Sequence, residues 1–325
     1  MADPSPPTVV PVTVDTFVRA ETDTYLGVLA AGTGLATFGH LRQPAPVERQ
    51  DVVRMNRDTL YSTCVVDLDA GDVTITLPDA EGRYLSLLVI DQDHYTPGCQ
   101  YRAGAHVLTR ASVGTRYALA LVRIFVDPDD PADLAAVHAL QDALAVEAAD
   151  PGRFEVPAWD PASLALIRST LQRLAPLGLG PGPEALGTRQ EVDPLRHLIV
   201  TAAGWGGNPS RDARYVPVFP EHNDGRTPYR LRVGEVPVDG FWSISVYDEA
   251  GYFVANDEGA YSLNSVTAQA DPDGSVTVHF GGPGEGVANH LPVPEGWNYL
   301  VRLYRPRAEI LDGRWQFPAA EAVPT

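Results

Sequence analysis

The sequence predicts a mainly β protein with a helical middle segment and two β-rich lobes, the C-terminal one a jelly-roll-like antiparallel sandwich. Strand signals run from Asn56 to Val126, helix-start signals cluster between residues 129 and 203, and short strands separated by turn sequences follow from residue 214. The expected divisions are a flexible tail (1–12), an N-terminal β-rich domain with a leading helix (13–128), a helical connecting segment (129–203) and a C-terminal β-sandwich domain (204–325).

The N-terminal elements begin after a proline-rich start, "PSPPTVVP", which is typical of an extended tail. Apolar spacing then predicts a helix from about Val14 to Ala31. In "VTITLP", Val73, Ile75 and Leu77 alternate with threonines, which indicates a strand with one buried face. The runs "RYLSLLVID" and "RYALALVRIFV" are almost continuously apolar, so they predict strands that are buried on both faces.

Three Asp–Pro pairs mark helix starts in the middle segment, at residues 130–131, 160–161 and 193–194. An aspartate before the first turn accepts hydrogen bonds from free backbone N–H groups, and proline at the first helical position has no N–H to leave unpaired. The third of these helices is expected near Leu195–Ala203, because Gly204 follows it.

The stretch "GFWSISVYDEAGYFVAN" (Gly240–Asn256) predicts a β-hairpin. Alternation places Trp242, Ile244 and Val246 on a core face. The opposite face carries two serines between two aromatic residues, which suits either a layer between sheets or the wall of a pocket. The expected C-terminal strands are Tyr229–Val233, Phe241–Tyr247, Tyr252–Ala255, Ser275–Phe280 and Tyr299–Tyr304.

Composition limits the classes of partner. A formal net charge of -18 over 325 residues, without a basic patch, makes nucleic acid an improbable ligand. No run of 18 apolar residues predicts a membrane span, and the first residues lack the pattern of a signal peptide. Because neither pattern is found, the cytoplasm is the expected location. Two cysteines are too few for a disulfide framework. The sequence leaves open whether the chain forms a homo-oligomer.

Polar side chains recur where predicted strands begin or end, and these are the candidate site residues. Carboxylates, an imidazole and a phenol can transfer protons, so the candidate catalytic residues are Asp58, Tyr61, Asp91 and His94. Side chains that can orient a ligand give the candidate binding residues Asn56, Arg57, Arg83, Tyr84, Tyr247, Asn256, Arg302 and Tyr304. For each group the alternative is a polar network that only fixes a loop. A buried Arg302 needs a partner, for which Asp248, Asp58 or Asp91 could serve.

Motifs for metals and cofactors are missing from the sequence. Asp91, Asp93 and His94 could contribute to a metal site, but no HExxH or CxxC accompanies them, so we expect no metal. Neither a dinucleotide-binding motif nor a redox motif is present, so we expect no cofactor.

Two long motifs resemble a two-domain bacterial family of unknown function. "DVVRMNRDTLYSTCVVDLDAGDVTITLPDAEGRYLSLLVID" is similar to its N-terminal domain, the domain of unknown function 1254. "VPVDGFWSISVYDEAGYFVAN", with "ANHLPVPEGWNYLVRLYRP" after it, is similar to its C-terminal domain, number 1214. The resemblance implies two β-rich domains, with a jelly-roll-like sandwich at the C-terminus, and it implies no activity and no residue roles.

The residues favour an enzyme without a redox cofactor, of the hydrolase, lyase or isomerase type, acting on a small organic molecule in a pocket of the β-lobes. A second hypothesis is a non-catalytic β-sandwich that binds a ligand or a partner chain through aromatic surfaces. A third is a purely structural role in which every polar residue is satisfied internally.

Overall fold

A computed structural model of the chain describes residues 8–50, 53–180 and 182–324, and it confirms the mainly β class with helices in the middle of the chain. The helices are α1 (Phe17–Thr33), α2 (Arg110–Val113), α3 (Pro131–Asp142), α4 (Pro161–Gly178), α5 (Pro194–Ala203) and α6 (Ala308–Leu311). The strands are β1 (Gly39–His40), β2 (Thr59–Asp67), β3 (Val73–Leu77), β4 (Leu85–Asp91), β5 (Gly98–Gln100), β6 (Gly104–Leu108), β7 (Tyr117–Phe125), β8 (Ala145–Ala148), β9 (Ala213–Val218), β10 (Tyr229–Val233), β11 (Trp242–Tyr247), β12 (Ser262–Asn264), β13 (Val276–Phe280), β14 (His290–Leu291), β15 (Asn298–Tyr304) and β16 (Glu321–Ala322).

Two compact units divide the chain, and neither is continuous in sequence. The first unit contains Met1–Leu41, Tyr61–Ile124 and His138–Pro209. The second unit contains Arg42–Leu60, Phe125–Val137 and Ser210–Thr325. Residues 42–60 therefore group with the C-terminal lobe, whereas the sequence-based division places them in the domain 13–128.

The first unit contains two sheets, with strand orders β1-β2-β7-β4-β5 and β6-β3-β8. Every residue of β4 and β7 is buried, as their continuous apolar runs predict. In β3 the burial alternates, with Val73, Ile75 and Leu77 inside, as predicted. Leu26 of α1 packs with Leu88, Leu119 and other apolar residues of the larger sheet. Burial of these side chains stabilises the unit by about 1.5–3 kcal/mol each.

The three predicted Asp–Pro helix starts are confirmed. Helices α3, α4 and α5 each begin at the proline. Asp160 accepts hydrogen bonds from the backbone N–H groups of Ala162 and Ser163, and Asp193 accepts one from Arg196. The first helix is also present, over Phe17–Thr33 instead of the predicted Val14–Ala31.

The prediction of a flexible tail over residues 1–12 is wrong for its last residues, which are held within the first unit. Residues 1–7 lie outside the described residues. Val10 forms a backbone bridge with Trp159, and Val12 is buried in a core with Phe17 and Leu164. The chain is thus already ordered by residue 10, because Val10 is held by backbone hydrogen bonds and Val12 packs against α1 and α4.

The second unit contains two four-stranded sheets, with orders β14-β13-β10-β16 and β12-β11-β15-β9. Trp242, Ile244 and Val246 enter its core, as predicted. The pairings are antiparallel except for β13 with β14. Among the described helices of the whole chain, none combines the length and the apolar character needed to cross a bilayer.

The predicted hairpin is wrong in its second half, because Tyr252–Ala255 is not a strand. The Asp248 N–H does bond to the Tyr252 carbonyl, but pairing stops there. The Gln50 side chain bonds to both backbone groups of Phe253, at 2.7 and 2.9 Å, and takes the place of a neighbouring strand. Strand β12 pairs with β11 instead.

The Asp160 cap provides a test of the helix-start assignment. Replacing Asp160 with Ala leaves two N–H groups of α4 without their acceptor, so we expect the free energy of unfolding to fall by about 1 kcal/mol. Urea unfolding followed by circular dichroism measures the change. Asp160→Asn keeps an acceptor oxygen and should lose less; equal losses in the two variants would contradict the capping role.

Candidate functional site

The candidate residues of the sequence analysis fall into separate groups, which are described unit by unit. In the second unit Asp58 lies in a buried polar cluster with Ser243, Tyr247 and Arg302. In the first unit Asp91 and His94 lie in the turn that follows β4.

Asp58 stands immediately before β2 and is 1% exposed. Its backbone is fixed on both sides, because its N–H donates to Asn56 Oδ1 at 2.8 Å and its carbonyl accepts from the Val126 N–H at 3.0 Å. Ser243 donates its hydroxyl to Asp58 Oδ2 at 2.6 Å. The other carboxyl oxygen, Oδ1, is buried and has no hydrogen-bond partner within the described part of the chain.

Arg302 supplies the buried positive charge of this cluster. It lies on β15 directly opposite Ser243 of β11 and is 2% exposed. Its Nη1 donates to Ser245 Oγ at 2.8 Å, and its Nη2 donates to the Tyr247 hydroxyl at 2.7 Å. The carbonyls of Arg54 and Met55 accept further bonds from Nη2, at 2.9 and 3.2 Å. The guanidinium is therefore held by neutral oxygens.

The two charges influence one another without a direct contact. Burial raises the pKa of Asp58, and the opposing effects of Arg302 and the Ser243 hydroxyl only partly offset it. Burial alone would lower the pKa of Arg302, but Tyr247, Tyr304 and Asp58 raise it, so the guanidinium stays charged. The sequence offered three acidic partners for Arg302, namely Asp248, Asp58 and Asp91. Asp58 is the one whose negative charge raises the pKa of Arg302.

The neighbouring candidate binding residues bond to the protein itself. Asn56 Nδ2 donates to Thr59 Oγ1 and to the Tyr304 hydroxyl, each at 3.0 Å. The Tyr304 ring stacks on Phe241 with centroids 4.3 Å apart. Arg57 donates to the Ala45 carbonyl at 2.5 Å. These contacts fix the segment around Asp58, as the loop-fixing interpretation predicts.

His94 in the first unit is 1% exposed, and both of its ring nitrogens have internal partners. Thr201 donates its hydroxyl to the His197 carbonyl at 2.8 Å, so at 2.8 Å from His94 Nδ1 it serves as an acceptor. The Gly206 N–H donates to His94 Nε2 at 2.9 Å. This pattern requires the neutral ring with its proton on Nδ1. Burial, aided by His197, lowers the pKa of His94 to about 3.

A column of stacked side chains holds the His94 ring. Its neighbours are His197, at 5.5 Å between centroids, and Trp205, at 5.6 Å. Tyr95 continues the column beyond His197 at 4.5 Å, and Tyr25 continues it beyond Trp205 at 4.3 Å. Aromatic stacking adds to area burial, so the column fastens the turn after β4 to α1 and α5.

Asp91 is 5% exposed and closes the same turn. One carboxyl oxygen accepts the backbone N–H groups of Asp93 at 2.8 Å and Tyr95 at 2.9 Å. Burial raises the pKa of Asp91 to about 6, although the Tyr95 N–H acts in the opposite direction. The described residues of the chain contain no group of three His, Cys, Asp or Glu side chains placed to share a metal ion.

The remaining candidate residues contact neighbours other than Asp58 and His94. In the first unit Tyr61 lies under the Arg123 guanidinium at 5.5 Å, and Tyr84 lies 6.1 Å from the Tyr101 ring. Arg83, in the same unit, is in a turn closed by the Ala80 carbonyl. In the second unit Asn256 closes its own loop, with its side chain bonded to both backbone groups of Ala260.

Sequence reasoning did not assign roles to Ser243, His197 and Thr201. Ser243 shares a strand face with Tyr247, but alternation alone does not reveal an acidic partner 185 residues away. His197 and Thr201 are four residues apart on α5 and hence on one helical face, which was an available signal.

Because His94 is buried as a neutral ring, we expect acid to lower the free energy of unfolding. Because its pKa is about 3 in the folded state and 6.5 when unfolded, its stabilising effect is complete above pH 6.5 and is lost as the pH falls towards 3. We expect His94→Leu, which cannot be protonated, to show a smaller loss of the free energy of unfolding between pH 7 and pH 4. Chemical unfolding at each pH measures this; parallel curves for both proteins would contradict the neutral tautomer.

Asp91 predicts the opposite pH dependence. Its folded pKa of about 6 exceeds the ordinary value of 3.8, so its charge destabilises the fold above pH 6 and this cost disappears as the pH falls towards 3.8. Asp91→Asn keeps an acceptor oxygen for both N–H groups without the charge. We expect it to raise the free energy of unfolding by up to about 3 kcal/mol at pH 8 and to have no effect at pH 3.5. A variant that is less stable at pH 8 would show that the carboxylate stabilises the turn.

Two solved structures are similar to this protein in fold. A crystal structure of the VPA0106 protein from Vibrio parahaemolyticus is similar, with a TM-score of 0.70 and 20% identity over 96% of this chain and 98% of that one. A putative uncharacterized protein from Burkholderia cenocepacia is also similar in structure, with a TM-score of 0.52 and 17% identity over 95% of this chain and 88% of that one. A search of curated proteins found no match.

These two likenesses concern the fold alone. Residues 35–97 match the model of DUF1254, a family of proteins of unknown function. Residues 220–308 match the model of DUF1214, also a family of proteins of unknown function. The order and the positions of both regions agree with the motifs quoted from the sequence. The chain therefore contains a DUF1254 region followed by a DUF1214 region, and both families are of unknown function.

Proposed function

We propose that the protein is an enzyme that performs acid–base chemistry on a small organic molecule without a redox cofactor, with Asp58 as the group that transfers the proton. The observation that carries the proposal is the buried Oδ1 of Asp58, which has no hydrogen-bond partner among the described residues. Leaving a buried polar atom unpaired costs about 1–3 kcal/mol, and more for a charged group, so a ligand that bonds to Oδ1 would recover that energy.

The surroundings of Asp58 support a role in proton transfer. Burial moves its pKa upwards, towards the range in which a carboxyl group can both accept and release a proton near neutral pH. Ser243 already occupies Oδ2, so Oδ1 is the oxygen that would exchange the proton. The Arg302 charge would stabilise the carboxylate after the proton leaves. Hydrolysis, elimination and isomerisation can each use such a group.

A non-catalytic ligand-binding or partner-binding protein is the second candidate. The observation in its favour is that the donors of Arg302 bond to Ser245, Tyr247 and two backbone carbonyls. An arginine engaged in this way fixes the fold and leaves few of its hydrogens for a substrate. In this case Asp58 Oδ1 would accept a bond from a ligand and transfer nothing.

Location and partners are part of the same proposal. We place the protein in the cytoplasm, with a small molecule as its ligand and neither nucleic acid nor a membrane as its partner; assembly into a homo-oligomer stays open. Neither Cys64 nor Cys99 forms a disulfide in the described part of the chain, which fits a reducing compartment. For the C-terminal lobe we retain the jelly-roll-like sandwich, supported by its two four-stranded sheets.

Asp58→Asn tests the catalytic role. A thermal-shift screen of metabolites first identifies a ligand, which is then followed for turnover. The variant keeps an oxygen for the Ser243 hydroxyl but cannot transfer a proton, so we expect turnover to fall by about 10²- to 10⁴-fold. Kinetic assays over a range of pH measure the rate and its dependence on the Asp58 carboxyl.

The matched control is Asp312→Asn, at an aspartate of the same unit that bonds to Arg314. It should leave turnover unchanged. A folded Asp58→Asn variant with full turnover would overturn the catalytic role. Ligand binding that depends on Asp58, without any turnover in the unmodified protein, would favour the binding protein.

A further inference from the structure

We propose that the first unit holds a second ligand site, a cleft that binds a small amphipathic monocarboxylate, with its acid group at Arg153 and its apolar chain along the C-terminal half of α1. The cleft is open to solvent and has a volume of about 520 Å³, which is within the range of small-molecule sites. It is lined by Gly27, Ala30, Ala31, Gly34, Leu35, Pro151, Gly152, Arg153 and Phe154.

The lining is apolar because α1 presents only small side chains there. At Gly27 a Cβ atom would lie 3.2 Å from the Phe154 ring, so glycine allows this ring to lie close against the helix. Ala30 and Ala31 continue the same face, and Leu35 lies beyond the end of the helix. Carbon chains gain free energy on such a surface, at about 0.8 kcal/mol for each buried CH₂ group.

Arg153 supplies a fixed positive charge. Its backbone is fastened, because its carbonyl accepts the Tyr117 hydroxyl at 2.5 Å and its N–H donates to Asp67 Oδ2 at 3.2 Å. Its guanidinium, in contrast, is exposed and makes no hydrogen bond or ion pair with any described residue.

Two carboxylates around Arg153, those of Asp67 and Glu155, are already paired with another arginine. Arg116 forms two bonds with Asp67, at 2.9 and 3.0 Å, and an ion pair with Glu155 at 3.4 Å. In a chain with 42 acidic and 24 basic residues, a guanidinium without an acidic partner next to an apolar cleft is complementary to an external carboxylate. The negative C-terminal end of α1 would keep the acid group at Arg153 and away from the helix.

Octanoate and octan-1-ol, titrated calorimetrically into the full chain, test the site. Octanoate should bind saturably and more tightly than the alcohol. Arg153→Gln should weaken octanoate binding about tenfold and leave octanol unchanged, because only the acid uses the charge. Ala31→Leu adds a side chain to the cleft at an exposed helical position and should weaken both ligands.

Arg173→Gln, at an exposed arginine on α4, is the control for a general loss of charge and should change neither affinity. Octanoate that binds equally to the Arg153→Gln variant, or no more tightly than octanol, would overturn the assignment of the acid group. The absence of saturable binding by either ligand would overturn the site. These outcomes do not depend on Asp58, so they are separate from the proposed catalytic function.

Discussion

The second unit depends on the way in which it accommodates one buried cation, the guanidinium of Arg302. Taking a charge out of water costs several kcal/mol unless hydrogen bonds and an opposite charge replace the lost hydration. Here two side-chain hydroxyls and the carbonyls of residues 54 and 55 provide the hydrogen bonds, and Asp58 provides the opposite charge. The segment before β2 must therefore follow one path, because its carbonyls and its carboxylate are needed where they lie.

The first unit meets the same difficulty by removing the charge. His94 is buried as a neutral ring whose donor and acceptor are both satisfied by Thr201 and Gly206. Where charges persist, as in the bidentate contact of Arg168 with the buried Glu21, both bonds are 2.6 Å long. Neutral tautomers and paired charges are the two inexpensive ways to bury ionisable groups. The unit uses the first at the turn after β4 and the second on α1.

Local features of the sequence predicted the elements, since their causes are local. An aspartate followed by proline determines a helix start through atoms within four residues, and the starts at 131, 161 and 194 agree with the structure. Alternation in β3 and continuous burial in β4 depend on neighbours along one strand. Local patterns cannot predict contacts that are distant in sequence, and the wrongly predicted strand at 252–255 is an example. Gln50, 203 residues away from Phe253, takes the hydrogen bonds that a neighbouring strand would have made.

The candidate site could be predicted only as a set of residue types. Asp58 and Arg302 were both identified, but Ser243, which bonds to Asp58, is distant in sequence from it, and nothing in either local pattern specifies that contact. Likewise, no composition shift separates residues 42–60 from their neighbours. Val47 and Met55 nonetheless pack with Tyr247 and Phe253, so tertiary packing decides which unit contains this segment.

The unpaired oxygen of Asp58 differs in kind from three other buried atoms that have no hydrogen-bond partner among the described residues. Ser86 Oγ and Trp297 Nε1 belong to neutral groups, for which the loss of one hydrogen bond is modest. Arg54 Nη1 belongs to a guanidinium that lies over the rings of Phe219 and Tyr247, at 5.7 and 5.6 Å, and these supply a cation–π attraction.

Asp58 Oδ1 belongs to a titratable group, and no cation among the described residues forms an ion pair with it. Ser243 orients the carboxyl group and Asn56 fixes the backbone that carries it, so the geometry is specified while the bonding of Oδ1 is incomplete. The fold gains the negative charge of Asp58 beside Arg302, but that gain does not require Oδ1 to lack a hydrogen bond. A ligand that bonds to Oδ1 would supply the missing hydrogen bond, which is the physical reason for proposing a function at this carboxylate.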